Sequence, residues 1–385
     1  MKFKICLSCF FLICLGNFQA ANAQIKLIKK LLSNQVDSTR KPSFMPVPVV
    51  GYSPEKGFEF GLGAIYSYYM DKDDLANRSS NFSTTLSYST KKTYNFSIKA
   101  DAWTPHNQHH LLGEIRFKNQ PFYFYGIGNE TQESQKDLFT FKQIKLAGEI
   151  EKNWQSHWYS GIGLSYQKES LGIQGPQPYI LIDGRVIPDY QNQNLFIQVS
   201  QSLDTRNTNN YPTSGFYGKV SYQYAPKLFA NAGSPEADFQ GGLMRLNLRN
   251  YWSLNSKLVL GIQGMYQGIH GKNIPIMYLP QLGNDEMMRG YYSGRYRDKH
   301  LFAAQTELRY RFMNRFGAVI FAGTGHVAST ARINPNQLKP NYGIGGRYFF
   351  DPAKGLSIRL DYGVGEKLPD EKRQQGFYIS FAEAF

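Results

Sequence analysis

The sequence has only three cysteines, and all of them lie near its start. Cys6, Cys9 and Cys14 fall in a segment where two lysines precede an apolar run that ends before Ala21-Asn22-Ala23. Basic residues, a short apolar run and a small-x-small site are typical of a secretory signal peptide. We therefore predict that residues 1–23 are cleaved. The mature chain would then lack thiols, which excludes a thiol enzyme, a thiolate metal site and a disulfide scaffold.

Long apolar runs are also absent after this segment, so the sequence offers no stretch of about 18 apolar residues that a spanning helix needs. Aromatic residues nevertheless make up 15% of the chain. Acidic residues are outnumbered, with 29 Asp and Glu against 43 Lys and Arg, which gives a net charge of +14. Removal of two lysines with the signal peptide lowers the net charge to 14 − 2 = +12. An exported chain of this kind is secreted or forms a β-barrel. Its positive charge would favour anionic lipid headgroups, an acidic ligand in the lumen or no particular partner, and nucleic acid is not expected outside the cytoplasm.

Histidine is scarce as well, and its seven positions offer no catalytic motif. None lies in a Gly-x-Ser-x-Gly or His-Glu-x-x-His context, so a hydrolase embedded in the membrane is not expected. His106, His109 and His110 are close in sequence, but we interpret them as part of a polar turn and not as a metal site. The sequence therefore predicts no enzyme activity, no cofactor and no metal.

Polar and apolar residues alternate through most of the chain. Every second residue is polar between Gln305 and Phe312 and between Leu356 and Tyr362. This period of two is that of a strand with one apolar and one polar face. It predicts an all-β fold, a transmembrane antiparallel β-barrel of about 16 strands, with a soluble β-sandwich as the alternative. The predicted strands are 47–53, 58–70, 80–90, 93–103, 109–118, 137–151, 156–167, 190–203, 216–226, 237–250, 256–267, 300–312, 315–329, 339–350, 355–366 and 376–385.

An even number of strands places both ends of a bacterial barrel on the periplasmic side. Short turns are then expected in the periplasm at 153–156, 313–315 and 351–355. Longer insertions are expected outside, at 168–189 and 268–299.

We predict one barrel domain over residues 46–385. Residues 24–45 would form a short periplasmic segment, in which Ile25, Leu27 and Leu31 with three lysines suggest a basic amphipathic helix; a disordered leader is the alternative. The segment 71–80 would be a long periplasmic turn.

The insertion at 268–299 carries Met288-Arg289-Gly290-Tyr291, followed by Ser293-Gly294-Arg295-Tyr296-Arg297-Asp298. In this motif the chain resembles the bacterial surface antigen, or outer-membrane insertase, superfamily. The resemblance implies that the sixth outer loop folds into the lumen and that Arg289 docks on the barrel wall. Gly290 would permit a backbone conformation that a side chain forbids.

Further motifs follow the order of that family. Residues 204–215 resemble its periplasmic turn, and residues 343–347 resemble its Gly-x-Gly-x-Arg strand. Residues 359–363 resemble its penultimate strand, and residues 48–57 resemble the opening of its shorter members. Phe385 fits the terminal signal by which the assembly machinery recognises barrels. The resemblance covers Pro46 to Phe385.

Two features depart from the family pattern. Only about 22 residues separate the predicted cleavage site from the barrel, whereas periplasmic modules of this family have roughly 75 residues each, so we predict a short member without them. Gly323 stands where the family has the aspartate that pairs the loop arginine. A guanidinium withdrawn from water requires a partner. We predict Glu307 or Asp361 for Arg289, with Glu149 as the remaining lumen carboxylate.

Basic residues on the predicted lumen faces have two possible roles, to line an anion channel or to form ion pairs that fill the lumen. Arg309, Arg311, Arg347 and Arg359 belong to this set. They would suit an anion-passing channel, or they would pair with lumen acids and the inserted loop. The resemblance implies outer-membrane protein assembly or protein translocation instead. Expected partners are outer-membrane lipids and lipopolysaccharide, client outer-membrane proteins, periplasmic or lipoprotein subunits, and the assembly machinery for the barrel's own insertion.

Overall fold

A computed structural model describes residues 33, 36–53, 55–155, 157–173, 181–182, 185–186, 190–229 and 239–385. The predicted signal peptide and the apolar residues of the predicted helix, 25–32, lie outside the described residues. The described part of the segment before the barrel, up to residue 42, contains no helix. The first strand begins at Ser43, three residues before the predicted start of the barrel.

Sixteen antiparallel strands form one sheet in sequence order, which confirms the predicted fold class. The strands are β1 (Ser43–Ser53), β2 (Gly57–Tyr68), β3 (Ser80–Ser89), β4 (Tyr94–Trp103), β5 (His109–Phe124), β6 (Asp137–Gln155), β7 (Trp158–Ile173), β8 (Tyr190–Asp204), β9 (Gly215–Ala225), β10 (Gln240–Ser253), β11 (Leu258–Lys272), β12 (His300–Tyr310), β13 (Phe316–Ala328), β14 (Lys339–Asp351), β15 (Leu356–Val364) and β16 (Gln375–Phe381). Short 3-10 turns lie at Pro105–Asn107, Glu133–Gln135 and Pro335–Gln337, and two-residue strands pair Leu181–Ile182 with Arg185–Val186 and Gln281–Leu282 with Tyr296–Arg297.

Several strands are longer than their alternation predicted. β5 continues to Phe124 instead of residue 118, and β6 includes most of the turn predicted at 153–156. β7 and β11 also extend outward, so the outer insertions are 174–189 and 273–299. Phe122 and Phe124 are buried in the extension of β5, and Phe139 of β6 packs against both rings. Because those side chains pack inside the barrel, the polar and apolar alternation that marks a lipid-facing strand is lost there.

The two faces of the sheet differ as a membrane barrel requires. In β15, Leu360 and Tyr362 point outward and are 45% and 41% exposed, whereas Arg359 and Asp361 point inward and are buried. Exposed apolar side chains suit contact with lipid, and the charged groups then lie in the lumen. Among the described residues, no helix is long and apolar enough to span a membrane.

A hydrophobic cluster fills the outer half of the lumen. We call it the lumen core; it consists of Phe122, Phe124, Phe139, Phe141, Leu171, Phe196, Ala225, Phe239, Leu243, Ile269, Ile276, Tyr278 and Leu279. Ile276, Tyr278 and Leu279 come from the sixth outer loop, and the other members come from β5 to β11 or lie next to these strands. The loop therefore crosses the lumen and packs against its wall.

Candidate functional site

The sixth outer loop, residues 273–299, enters the lumen and carries the Met288-Arg289-Gly290-Tyr291 motif into contact with the wall. The pairing of Gln281–Leu282 with Tyr296–Arg297 brings the two arms of the loop together. Met288, Arg289 and Tyr291 are at most 1% exposed. The motif thus lies at the buried tip of a hairpin-like loop.

Arg289 is bound by two carboxylates of the barrel wall. Its Nη2 donates to Glu307 Oε1 at 2.5 Å, and its Nη1 donates to Asp361 Oδ2 at 2.7 Å. The guanidinium also lies 3.6 Å from the ring centroid of Phe321. All three charged side chains are 0% exposed. Contacts of this kind are what allow a guanidinium to remain charged away from water.

The two carboxylates also bind arginines of the wall. Arg309 Nε donates to Glu307 at 2.8 Å, while Arg347 and Arg359 donate to Asp361 at 2.5 and 2.9 Å. Arg347 further pairs with Glu383, and Arg359 with Asp285 of the loop. Four guanidinium groups therefore face four carboxylates. We call this set the ion cluster; its members are Arg289, Arg309, Arg347, Arg359, Asp285, Glu307, Asp361 and Glu383.

Gly290 allows the tip to approach the wall closely. Its φ is +110°, and a Cβ built on it would lie 2.8 Å from backbone atoms of Gly363 and Val364 in β15. A side chain would therefore be strained both by the backbone angle and by the contact. The Gly290 N–H donates to Tyr378 Oη of β16 at 2.9 Å.

Tyr291 links the loop to two more elements of the wall. Its hydroxyl donates to the carbonyl of Pro340 at 2.6 Å and accepts the Glu366 N–H at 3.0 Å. Burial raises the pKa of the Tyr291 phenol, so the hydroxyl keeps the proton that it donates. Asn341 Nδ2 donates to the Arg289 carbonyl at 3.0 Å. The tip is thus held by backbone and side-chain bonds as well as by charge.

Gly323 stands where the resemblance implies an aspartate, and its surroundings are occupied by other groups. A Cβ on Gly323 would lie 2.6 Å from Asn341 Oδ1 and 2.7 Å from the Ala304 carbonyl. There is no space for a carboxylate beside Asn341. The negative charge is supplied instead by Glu307 of β12 and Asp361 of β15, two strands that flank β13 and β14.

Glu149 and Arg311 lie apart from the ion cluster. Glu149 accepts from Ser200 Oγ at 2.5 Å and from Lys219 Nζ at 2.9 Å, so Arg289 does not use this third predicted carboxylate. Arg311 follows the end of β12 and donates to the carbonyls of Asn314 and Pro352 near the periplasmic end. Arg309, Arg347 and Arg359 are at most 3% exposed, and each is paired with a carboxylate of the ion cluster.

Sequence reasoning missed three further anchors of the loop. Arg295, which is 0% exposed, donates to Glu371 at 2.9 Å and to Glu133 at 3.2 Å, and so joins the third, sixth and eighth outer loops. Arg297 donates to the Ile276 carbonyl within the loop at 3.2 Å, and its guanidinium lies over the rings of Phe122 and Phe124 in β5. Asp285 accepts from Ser380 of β16 at 2.5 Å. The apolar run at 274–279 was a signal for burial, whereas the pairing of these charges had no local signal.

The last strand was predicted to run through Phe385, but Phe385 lies outside it. β16 ends at Phe381, Ala382 has φ +61°, and the chain turns into the lumen. Phe385 is 4% exposed and packs with Tyr251, Val259 and Ala384. Its main-chain oxygen accepts from Arg309 Nη2 at 2.7 Å. The folded barrel therefore uses this side chain to fill its interior near the ion cluster.

The histidines that are close in sequence lie in two different elements. His106 lies in a 3-10 turn, and His110 lies in β5 and not in a turn. Both ring nitrogens of His110 are occupied, Nδ1 by Glu151 at 2.6 Å and Nε2 by Asp101 at 3.0 Å. No group of three or more metal-ligating side chains occurs among the described residues.

These features define a transmembrane β-barrel whose sixth outer loop is folded inward and anchored to the wall. The Omp85 superfamily domain matches residues 75–385, and the chain belongs to that family. It is a protein of the bacterial outer membrane. A search of the curated proteins found no match.

Solved structures share this fold at low sequence identity. BamA from Haemophilus ducreyi lacking POTRA domains 1–3 is 14% identical, with a TM-score of 0.54 over 89% of this chain and 70% of that chain. CdiB from Acinetobacter baumannii is 12% identical, with a TM-score of 0.52 over 88% of this chain and 59% of that one. CdiB from Escherichia coli is 8% identical, with a TM-score of 0.55 over 89% of this chain and 62% of that one. This chain therefore spans less than two thirds of either CdiB chain.

Proposed function

We propose that this barrel assembles proteins into the outer membrane or moves them across it, by opening at the seam between β1 and β16. Client outer-membrane proteins would be its substrates, with periplasmic or lipoprotein subunits and lipopolysaccharide-bearing lipid as its surroundings. It would not act as an enzyme. Membership of the Omp85 superfamily and the likeness to BamA and CdiB support this class of function.

The seam is the observation that carries the proposal. In the described residues, hydrogen-bonded ladders join every neighbouring pair from β1 to β16, but no ladder joins β16 to β1. β16 is also short, with seven residues. Unpaired strand edges template the addition of another strand, so this line is the place where a client strand would pair.

The filled lumen argues against the anion-channel alternative. A cavity of 580 Å³ lies in the inner half of the barrel, lined by Lys99, Arg245 and Asn210 among others. Above it the lumen core and the ion cluster occupy the interior. A solute would have to displace buried apolar side chains and break buried ion pairs to pass, and both changes are costly.

Depletion of the protein in its own bacterium tests the proposal. Outer-membrane protein levels would be quantified by mass spectrometry, beside uptake of small anions. We expect a fall in a subset of outer-membrane or secreted proteins, restored by the wild-type gene and by an Arg332→Ala control. Unchanged protein levels with a loss of anion uptake would reject assembly in favour of the channel.

A further inference from the structure

One outward-facing side chain at the periplasmic end of the seam is buried where lipid contact would be expected. Leu356 of β15 alternates in phase with Leu360 and Tyr362, which are 45% and 41% exposed. Leu356 itself is 1% exposed. Because side chains two residues apart share a face of a strand, something must cover the outer face of the sheet at this point.

Leu356 is covered by side chains from β1 and β2, on the other side of the seam. We call the hydrophobic cluster that they form the seam cluster; it consists of Met45, Ile65, Tyr348, Phe350, Leu356, Ile358 and Phe381. Met45 and Ile65 are partners in the β1–β2 ladder. They alternate with Phe44 and Tyr66, which are 64% and 41% exposed, so Met45 and Ile65 lie on the lumen face.

A second contact also joins the lumen face of β2 to the outer face of the last strands. Gly63 lies two residues from Ile65 and therefore also faces the lumen, and a Cβ on it would lie 3.2 Å from Phe381 Cε2. Phe381 alternates with Phe377 and Ile379, which are 65% and 55% exposed, so Phe381 faces outward. The inner face of β1–β2 thus rests on the outer face of the last strands. Closure edge to edge would place Gly63 and Phe381 on opposite sides of the wall.

Polar bonds hold the same end of the seam. Lys354 Nζ donates to the Lys41 carbonyl at 2.6 Å, to Ser43 Oγ at 2.7 Å and to Asp351 Oδ2 at 2.8 Å. The Ser43 hydroxyl also donates to Asp351. These bonds tie the start of β1 to the β14–β15 turn and bypass β16. Lys354 is 6% exposed, so its ammonium group depends on these acceptors.

We infer that the barrel closes at its periplasmic end by a lap joint, in which the lumen face of β1–β2 overlies the outer face of β15–β16 and Lys354 acts as the lock. A joint of this kind opens by separation of two faces and does not require a ladder to be broken. That the joint controls access of a client strand rests on the proposed function. The joint itself does not.

Disulfide formation distinguishes the two kinds of closure. Gly63→Cys with Phe381→Cys is compared with Phe44→Cys with Phe381→Cys, in the purified full-length barrel in lipid vesicles, after mild oxidation. Phe44 and Phe381 both face outward, so edge-to-edge closure favours that pair. We expect a high yield for the Gly63 pair and little for the Phe44 pair. A reversed order, or no cross-link in either pair, would overturn the lap joint. Heat-modifiable gel mobility confirms that each variant is folded.

The lock is tested on the same cross-link. Lys354→Met keeps the length of the side chain but removes its charge, whereas Lys257→Met makes the same change on an exposed turn. We expect Lys354→Met to slow formation of the Gly63–Phe381 pair disulfide severalfold and Lys257→Met to leave it unchanged. Equal rates in both variants would remove Lys354 from the joint. These readouts do not involve a client, so they stand if the proposed function fails.

Discussion

Arg289 at the tip of the sixth loop donates to Glu307 of β12 at 2.5 Å, with both side chains 0% exposed. The pair is part of an ion cluster with as many carboxylates as guanidinium groups. Balanced charge is a condition for burying so many ions in one place. The loop is therefore a component of the barrel interior and not a mobile surface segment.

Replacement of Arg289 tests this anchor. Arg289→Ala removes both bonds of the loop tip to the carboxylates, although Glu307 and Asp361 keep their wall arginines. Removing one partner of a buried pair costs about 3–5 kcal/mol, and we expect a loss toward the lower end because those arginines remain. Urea unfolding in lipid vesicles, followed by tryptophan fluorescence, gives the free energy of unfolding.

Two further variants serve as controls for that measurement. Arg332→Ala changes an exposed arginine of the seventh outer loop and should leave stability unchanged. Arg289→Lys keeps the charge but loses the planar guanidinium that reaches two carboxylates. Its loss of free energy of unfolding should therefore lie between the losses in Arg289→Ala and Arg332→Ala. If Arg289→Ala is as stable as Arg332→Ala, the loop is not anchored through its arginine.

A glycine pair isolates the close approach of the loop tip. Gly290→Ala places a methyl group against Gly363 and Val364 at a φ of +110°, so the tip must move away from β15. Gly346→Ala is the control, because its Cβ meets no heavy atom within 4 Å. We expect Gly290→Ala to increase protease cleavage within residues 273–299 of intact vesicles and Gly346→Ala to leave cleavage unchanged. Equal cleavage would show that the tip tolerates a side chain.

The inward fold of the sixth loop was implied by the family resemblance of Met288-Arg289-Gly290-Tyr291, whereas strand number was readable because lipid and lumen impose a period of two on every spanning strand. β15 shows this most clearly, since Leu360 and Tyr362 alternate with Arg359 and Asp361. Pairings between distant strands have no such period. That Arg289 reaches Glu307 of β12 and Asp361 of β15 at once depends on the curvature of the whole sheet. The inward turn at Ala382 was hidden because alternation continues to Phe385 in sequence.

Phe385 provides a test of the inward turn. Its ring packs against Tyr251 and lies 4.7 Å from the Arg309 guanidinium, so Phe385→Ala leaves a cavity inside the barrel. A buried Phe→Ala change costs about 3–5 kcal/mol. Phe377→Ala removes a ring of β16 that is 65% exposed on the outer face, so it should cost much less. A comparable loss in the two variants, measured by urea unfolding of the inserted protein, would place Phe385 outside the core.

The seam can be locked in cells to test its use. Gly63→Cys with Phe381→Cys would replace the wild-type gene in the depletion strain, after its cross-link has been verified on purified protein. We expect outer-membrane protein levels to fall while the disulfide is present and to recover after a membrane-permeant reductant is added. Each single-cysteine variant serves as the control. Normal levels with a fully formed cross-link would mean that clients do not use this seam.

Conductance in planar bilayers tests most directly whether the barrel acts through its seam and not through its lumen. The intact purified barrel is recorded beside a variant that lacks residues 274–298, which removes the loop's part of both the lumen core and the ion cluster. The account predicts a nearly silent intact barrel and a large, steady conductance after the deletion. A steady, anion-selective current through the intact barrel would contradict it.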